Sequence, residues 1–142
     1  EDYLKYWRVI RYYTLRKNNL TPAELDTLLF LRSERYFTKK KFKEFNTLLP
    51  WDDKRFYKLM KEGWLERFAW KKKKSETIYK VTNRSQNMMT IMYRQLSGDE
   101  LPVVPNVNPL FRKEVKYTDK VYRNMIKNMN KFIRQQQRPS QE

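Results

Sequence analysis

The chain has 142 residues and a formal net charge of +16, from 32 Lys and Arg against 16 Asp and Glu, and its length fits one ordinary domain with room for an extension. It contains no His and no Cys, which excludes a His general base, a Cys nucleophile, a Cys/His zinc site and a disulfide framework. Four Trp, ten Tyr and eight Phe are too many for a disordered basic tail, so a small core of large side chains is expected.

Residues 2–18 read as a helix, because Tyr3, Trp7, Ile10 and Tyr13 or Thr14 recur at three-to-four spacing and Tyr6 widens the stripe. Asn18 and Asn19 end it. Thr21-Pro22-Ala23-Glu24 then opens a second helix. Thr21 can accept from free backbone N–H groups, Pro22 sits where none is needed, and Glu24 can reach back to the cap. Leu25, Leu28, Leu29 and Leu31 form its inner face to about Arg35. Thr38 starts a short third helix with Phe42, Phe45, Leu48 and Leu49 inside. Pro50-Trp51-Asp52-Asp53 breaks it and opens a fourth, with acids in the first turn to suit the helix dipole. Phe56, Leu59 and Met60 face inward, and Gly63 stands where a left-handed C-cap belongs.

The period then changes. Trp64 to Trp70 and Thr77 to Thr82 read as two strands joined by a long basic loop, a β-hairpin. Thr82 caps a fifth helix over about 83–97, with Met88, Met89, Ile91, Met92 and Leu96 inside. Ser97-Gly98-Asp99 stops it. Pro102, Pro105 and Pro109 among alternating Val mark an extended linker over 99–116. A last helix over about 117–136 carries Val121, Tyr122, Met125, Ile126, Met129, Phe132 and Ile133 on one stripe. The fold expected is mainly α with a small β-hairpin wing. Its element order is that of a winged helix-turn-helix over residues 1–98, with flanking N- and C-terminal helices.

The positive charge is localised. Residues 36–82 hold fourteen Lys and Arg against six Asp and Glu, and residues 110–142 hold nine against three, while 83–109 are neutral. Solubility charge has no reason to avoid one segment, so a localised anionic partner is the better explanation. Helical spacing puts Lys54, Lys58 and Lys61 on one side of the fourth helix, with Arg55 near its N-terminal end. Taken alone this is a solvated helix face; beside other basic elements it reads as a major-groove face, with Arg55 as the residue for any base contact. Lys39, Lys40 and Lys41 follow the Thr38 cap, a natural phosphate position. Arg67 on the first hairpin strand and Lys71, Lys72, Lys73 and Lys74 at its tip complete the candidate DNA-binding set. Trp51 and Trp70 are open to a base-stacking reading, whereas Trp64 is expected in the core.

Gly63-Trp64-Leu65-Glu66-Arg67 resembles the segment that joins recognition helix to wing in the MarR family of winged-helix regulators. Leu20-Thr21-Pro22 resembles the family's second-helix opening, and Val81-Thr82 the end of its wing. The resemblance covers about residues 3–97. It departs at the wing tip, where Lys73 and Ser75 replace the family's Asp-x-Arg, and at Ser85, where the family has Gly. The stretch from Asp52 to Gly63 is also about a turn shorter. The resemblance implies a homodimer held by terminal helices, here through Tyr3, Trp7, Ile10, Tyr122, Met125, Met129 and Phe132. No residue marks an effector site.

The expected function is double-stranded DNA binding as a transcriptional regulator, without cofactor, metal or catalytic residues. Adjacent Asp52-Asp53 and Asp99-Glu100 point apart and give no catalytic pair. The alternatives are a phage virion-associated or DNA-organising protein that assembles through residues 99–136, and a replication-initiator or single-strand-binding module. Scarce Gly and abundant Lys, Asn, Tyr and Phe are the bias of an AT-rich genome, such as a phage or a low-GC bacterium. No apolar run of about 18 residues is present and no signal-peptide core is visible, so no membrane partner is expected and the location read is the cytoplasm or a virion.

Overall fold

The computed structural model describes residues 3–44, 53–70, 72–73 and 76–137, with side chains from Lys5 onward. In chain order the elements are α1 (Tyr3–Asn18), α2 (Pro22–Arg32), β1 (Phe37–Thr38), α3 (Lys39–Glu44), α4 (Asp53–Lys61), β2 (Leu65–Ala69), β3 (Ile78–Val81), α5 (Asn83–Leu96), a 3-10 turn at Pro109–Phe111, and α6 (Tyr117–Gln137). The fold is mainly helical with a small three-stranded antiparallel sheet. Phe45, Leu48, Leu49, Trp51, Lys71, Lys74, Ser75 and the Tyr3 side chain lie outside the described residues. No helix among the described residues is long and apolar enough to cross a membrane.

The chain divides into two compact units, Thr21–Met89 and Glu1–Leu20 with Thr90–Glu142, and α5 contributes to both. In the first unit, α2 starts as its sequence dictates. The Thr21 hydroxyl accepts from the Glu24 N–H at 3.2 Å, and Glu24 Oε1 accepts from the Thr21 N–H at 3.0 Å. This capping box contributes about 1 kcal/mol. The helix stops at Arg32, a few residues before the expected end. Arg35 then takes a left-handed conformation, φ +54°, which turns the chain into β1.

β1 was not legible in the sequence. It pairs Phe37 with Tyr79 and Thr38 with Ile78, giving the sheet order β1-β3-β2. The expected β2–β3 hairpin forms, and it pairs Leu65 with Val81 and Arg67 with Tyr79. A bulge follows, because Ala69 rather than Phe68 pairs with Ile78. The inner face of the sheet meets aromatic rings from α3 and α4. Tyr79 stands edge-on to Phe56 at 4.9 Å and 90°, and Phe56 meets Phe42 at 5.7 Å and 72°. Phe56 and Leu59 are fully buried, each contributing roughly 1.5–3 kcal/mol. That anchorage fixes which side of α4 faces water.

The α4 exit closes as predicted. Gly63 has φ +82°, its N–H bonds the Met60 carbonyl, and the Trp64 N–H bonds the Leu59 carbonyl. Trp64 is 1% exposed and its ring lies 3.9 Å from the Arg84 guanidinium. Its carbonyl accepts from the buried Ser85 hydroxyl at 2.5 Å, which ties the start of α5 to the start of the hairpin. Thr82 caps α5 through the Ser85 N–H at 3.2 Å. Met88 and Met89 are buried as expected.

In the second unit, α1 and α6 pack together. Tyr12 stacks on Tyr122 at 4.0 Å and 9°, and Val9, Ile10, Ile126 and Met129 are buried. Asp119, fully buried in the first turn of α6, accepts from the Tyr12 hydroxyl at 2.5 Å and from Arg16 at 3.2 and 3.0 Å. Ile91, expected inside α5, is 46% exposed, and Val121, expected on the inner stripe of α6, is 40% exposed. The stripes are narrower than apolar character alone implies. The Pro-containing segment forms no helix or strand through Val104, then turns at 105–107 into Pro109–Phe111. It is anchored. Leu101 and Leu110 are buried, and the Asn130 amide both accepts from and donates to the Leu101 backbone, at 2.9 and 2.8 Å.

Candidate nucleic-acid interface

The basic side chains of the Thr21–Met89 unit fall into two classes once their partners are known. Lys39 turns back onto α4. Its ammonium donates to the Tyr57 hydroxyl at 2.9 Å, lies 3.6 Å from Asp53, and sits 4.7 Å from the Tyr57 ring centroid. The Tyr57 bond and the Asp53 charge hold Lys39 above its ordinary pKa against partial burial. Lys39 therefore braces the start of α3 against α4. Lys41 pairs with Glu34 at 3.7 Å, and its backbone N–H is the donor that satisfies the Thr38 cap.

Lys58 is the central lysine of the α4 stripe. It lies 3.1 Å from Glu24 and 4.0 Å from Glu62. Glu24 is 1% exposed. Burial alone would raise its carboxyl, but the Thr21 hydrogen bonds and Lys58 outweigh burial and hold it below the ordinary carboxylate value. Lys58 thus ties α4 to α2 while its side chain stays 48% exposed. Arg55, the expected base contact, is half-buried and has a contact of its own within the chain.

Lys54 and Lys61 are exposed on the same side of α4, opposite Phe56 and Leu59. Lys40 on α3 and Lys72 and Lys73 at the hairpin tip are exposed too. Arg67 is exposed on β2, its guanidinium 4.4 Å from the Trp70 ring centroid. Of the sequence-predicted set, Lys41 and Lys58 are exposed as well, with 54% and 48% of their side chains accessible, but each is paired with a carboxylate. Lys80 was not in that set. It pairs with Glu66 at 3.3 Å and lies 5.4 Å from the Phe68 ring.

The sequence reading left Trp70 open to a base-stacking role and missed the other exposed aromatics of this unit. Trp70 is 73% exposed, Tyr57 54%, Phe68 51% and Tyr36 48%. Strand alternation does not hold at Phe68, where the bulge after Arg67 shifts the register. Of the residues expected at a dimer interface, Ile10 and Met129 are 1% and 3% exposed and belong to the core of their own unit. Trp7, Tyr122 and Met125 are half-buried, and Tyr122 already stacks on Tyr12. Phe132, 40% exposed, has the largest fractional exposure of the described residues in the set. Among the described residues no group of three or more carboxylates is placed to hold a metal ion. No family model, curated protein or solved structure matches the chain.

Proposed function

We propose that the chain is a double-stranded DNA-binding protein of winged helix-turn-helix type, a MarR-like transcriptional regulator in which α4 enters the major groove and the β2–β3 hairpin follows the backbone. The observation that carries this reading is the cationic side of α4. Phe56 and Leu59 hold the helix by its apolar side, and Lys54 and Lys61 extend from the other beside a basic hairpin. The element order α2-β1-α3-α4-β2-β3 and the sheet order β1-β3-β2 support it, as they suit a helix-turn-helix followed by a wing. Lysines on such a helix act as point charges on phosphate, so positioning is their contribution.

The test is a titration of the full chain against duplex from its own promoter and against random duplex at physiological salt. A regulator binds its operator at least about 10³ more tightly than random duplex. Equal affinity for all duplexes replaces regulation with a DNA-organising role, and absence of duplex binding overturns the reading.

A further inference from the structure

We propose that Trp70 is a base-stacking side chain, and that with Arg67 it forms a site for an unpaired nucleobase adjoining the bound duplex. The inference rests on the duplex-binding reading above. It starts from the bulge. Residues three apart on a regular strand point to opposite faces. One extra residue, Phe68, separates the pairs Arg67–Tyr79 and Ala69–Ile78, so Arg67 and Trp70 come to the same side. Their 4.4 Å contact is the result.

That contact supports one side of the indole with a guanidinium, while the ring as a whole stays 73% exposed. An indole this exposed forgoes most of its burial energy, and among the described residues its recorded ring contact is Arg67. The surroundings select the occupant. Lys72 and Lys73 follow the ring and are exposed, and residues 36–82 as a whole carry fourteen Lys and Arg against six Asp and Glu. An aromatic face backed by Arg and followed by Lys is the chemistry of single-stranded nucleic acid. The base stacks on the ring, the guanidinium reinforces the stack, and the ammonium groups meet phosphate. A protein partner would have to bring its own acidic surface to this place; a nucleotide carries both the ring and the charge.

The experiment compares a blunt duplex with the same duplex bearing a short single-stranded thymidine overhang, using the full chain, Trp70→Ala and Trp70→Phe. Wild type is expected to prefer the overhang by about tenfold, the scale of one stacked base. Trp70→Phe keeps most of that preference, and Trp70→Ala loses it with blunt-duplex affinity and melting temperature unchanged. Blunt-duplex binding with no overhang preference, or a preference that survives Trp70→Ala, overturns the stacking site and leaves duplex binding intact. Loss of self-association in Trp70→Ala by light scattering, with the overhang preference unchanged, assigns the ring to a protein contact and also overturns it. Failure to bind either DNA overturns the duplex reading along with it.

Discussion

Asp119 shows what one buried carboxylate does in a chain this basic. Burial alone would raise its pKa, but the Arg16 guanidinium and Tyr12 hydroxyl hold it below its ordinary value of 3.8. Burial and the same carboxylate push the Tyr12 hydroxyl up to about 12. Because folding lowers the Asp119 pKa, its contribution is fully present above 3.8 and is lost as pH falls through the folded value. Asp119→Asn keeps the shape and removes the charge. It should cost about 2–3 kcal/mol at pH 7, discounted for the half-exposed Arg16, and should flatten the acid side of the stability profile. Thermal melts across pH check this; an unchanged profile would mean that the ion pair contributes nothing to the fold. None of this was legible in sequence, because Tyr12 and Asp119 stand 107 positions apart.

At the scale of elements, local signals read well and long-range ones did not. The Thr21 cap, the Gly63 exit and the Thr82 cap each depend on residues a few positions apart, the hairpin on two strands that follow one another in the chain, and each forms as its sequence predicts. β1 is two residues long and exists only because β3 offers Tyr79 and Ile78 as partners. The α4 stripe was legible as a helix face. What its lysines hold was not, because Glu24 lies 34 residues before Lys58. This separates two lysines that look alike in sequence. Lys58→Met leaves the buried Glu24 carboxylate without its cation and should destabilise the fold by about 1–2 kcal/mol. Lys61→Met, on the exposed side, should stay within about 0.5 kcal/mol. Chemical denaturation of the two variants decides it, and equal stabilities would refute the bracing role of Lys58.

For the whole molecule, the 32 Lys and Arg overstate the cations available to a partner, because some are paired within the chain. Lys39, Lys41 and Lys58 are committed to Asp53, Glu34 and Glu24 within their own unit. Lys40, Lys54, Lys61, Arg67, Lys72 and Lys73 are exposed on that unit in addition to the paired, also exposed Lys41 and Lys58. The count sets a measurable quantity, since each phosphate neutralised releases counterions from the duplex. The direct test is the affinity of the full chain for duplex DNA as a function of salt. With about six phosphate contacts, log K should fall with log salt at a slope near −5, and affinity should drop roughly 10³-fold between about 50 and 200 mM. A slope near zero, or no duplex binding at low salt, would contradict the account.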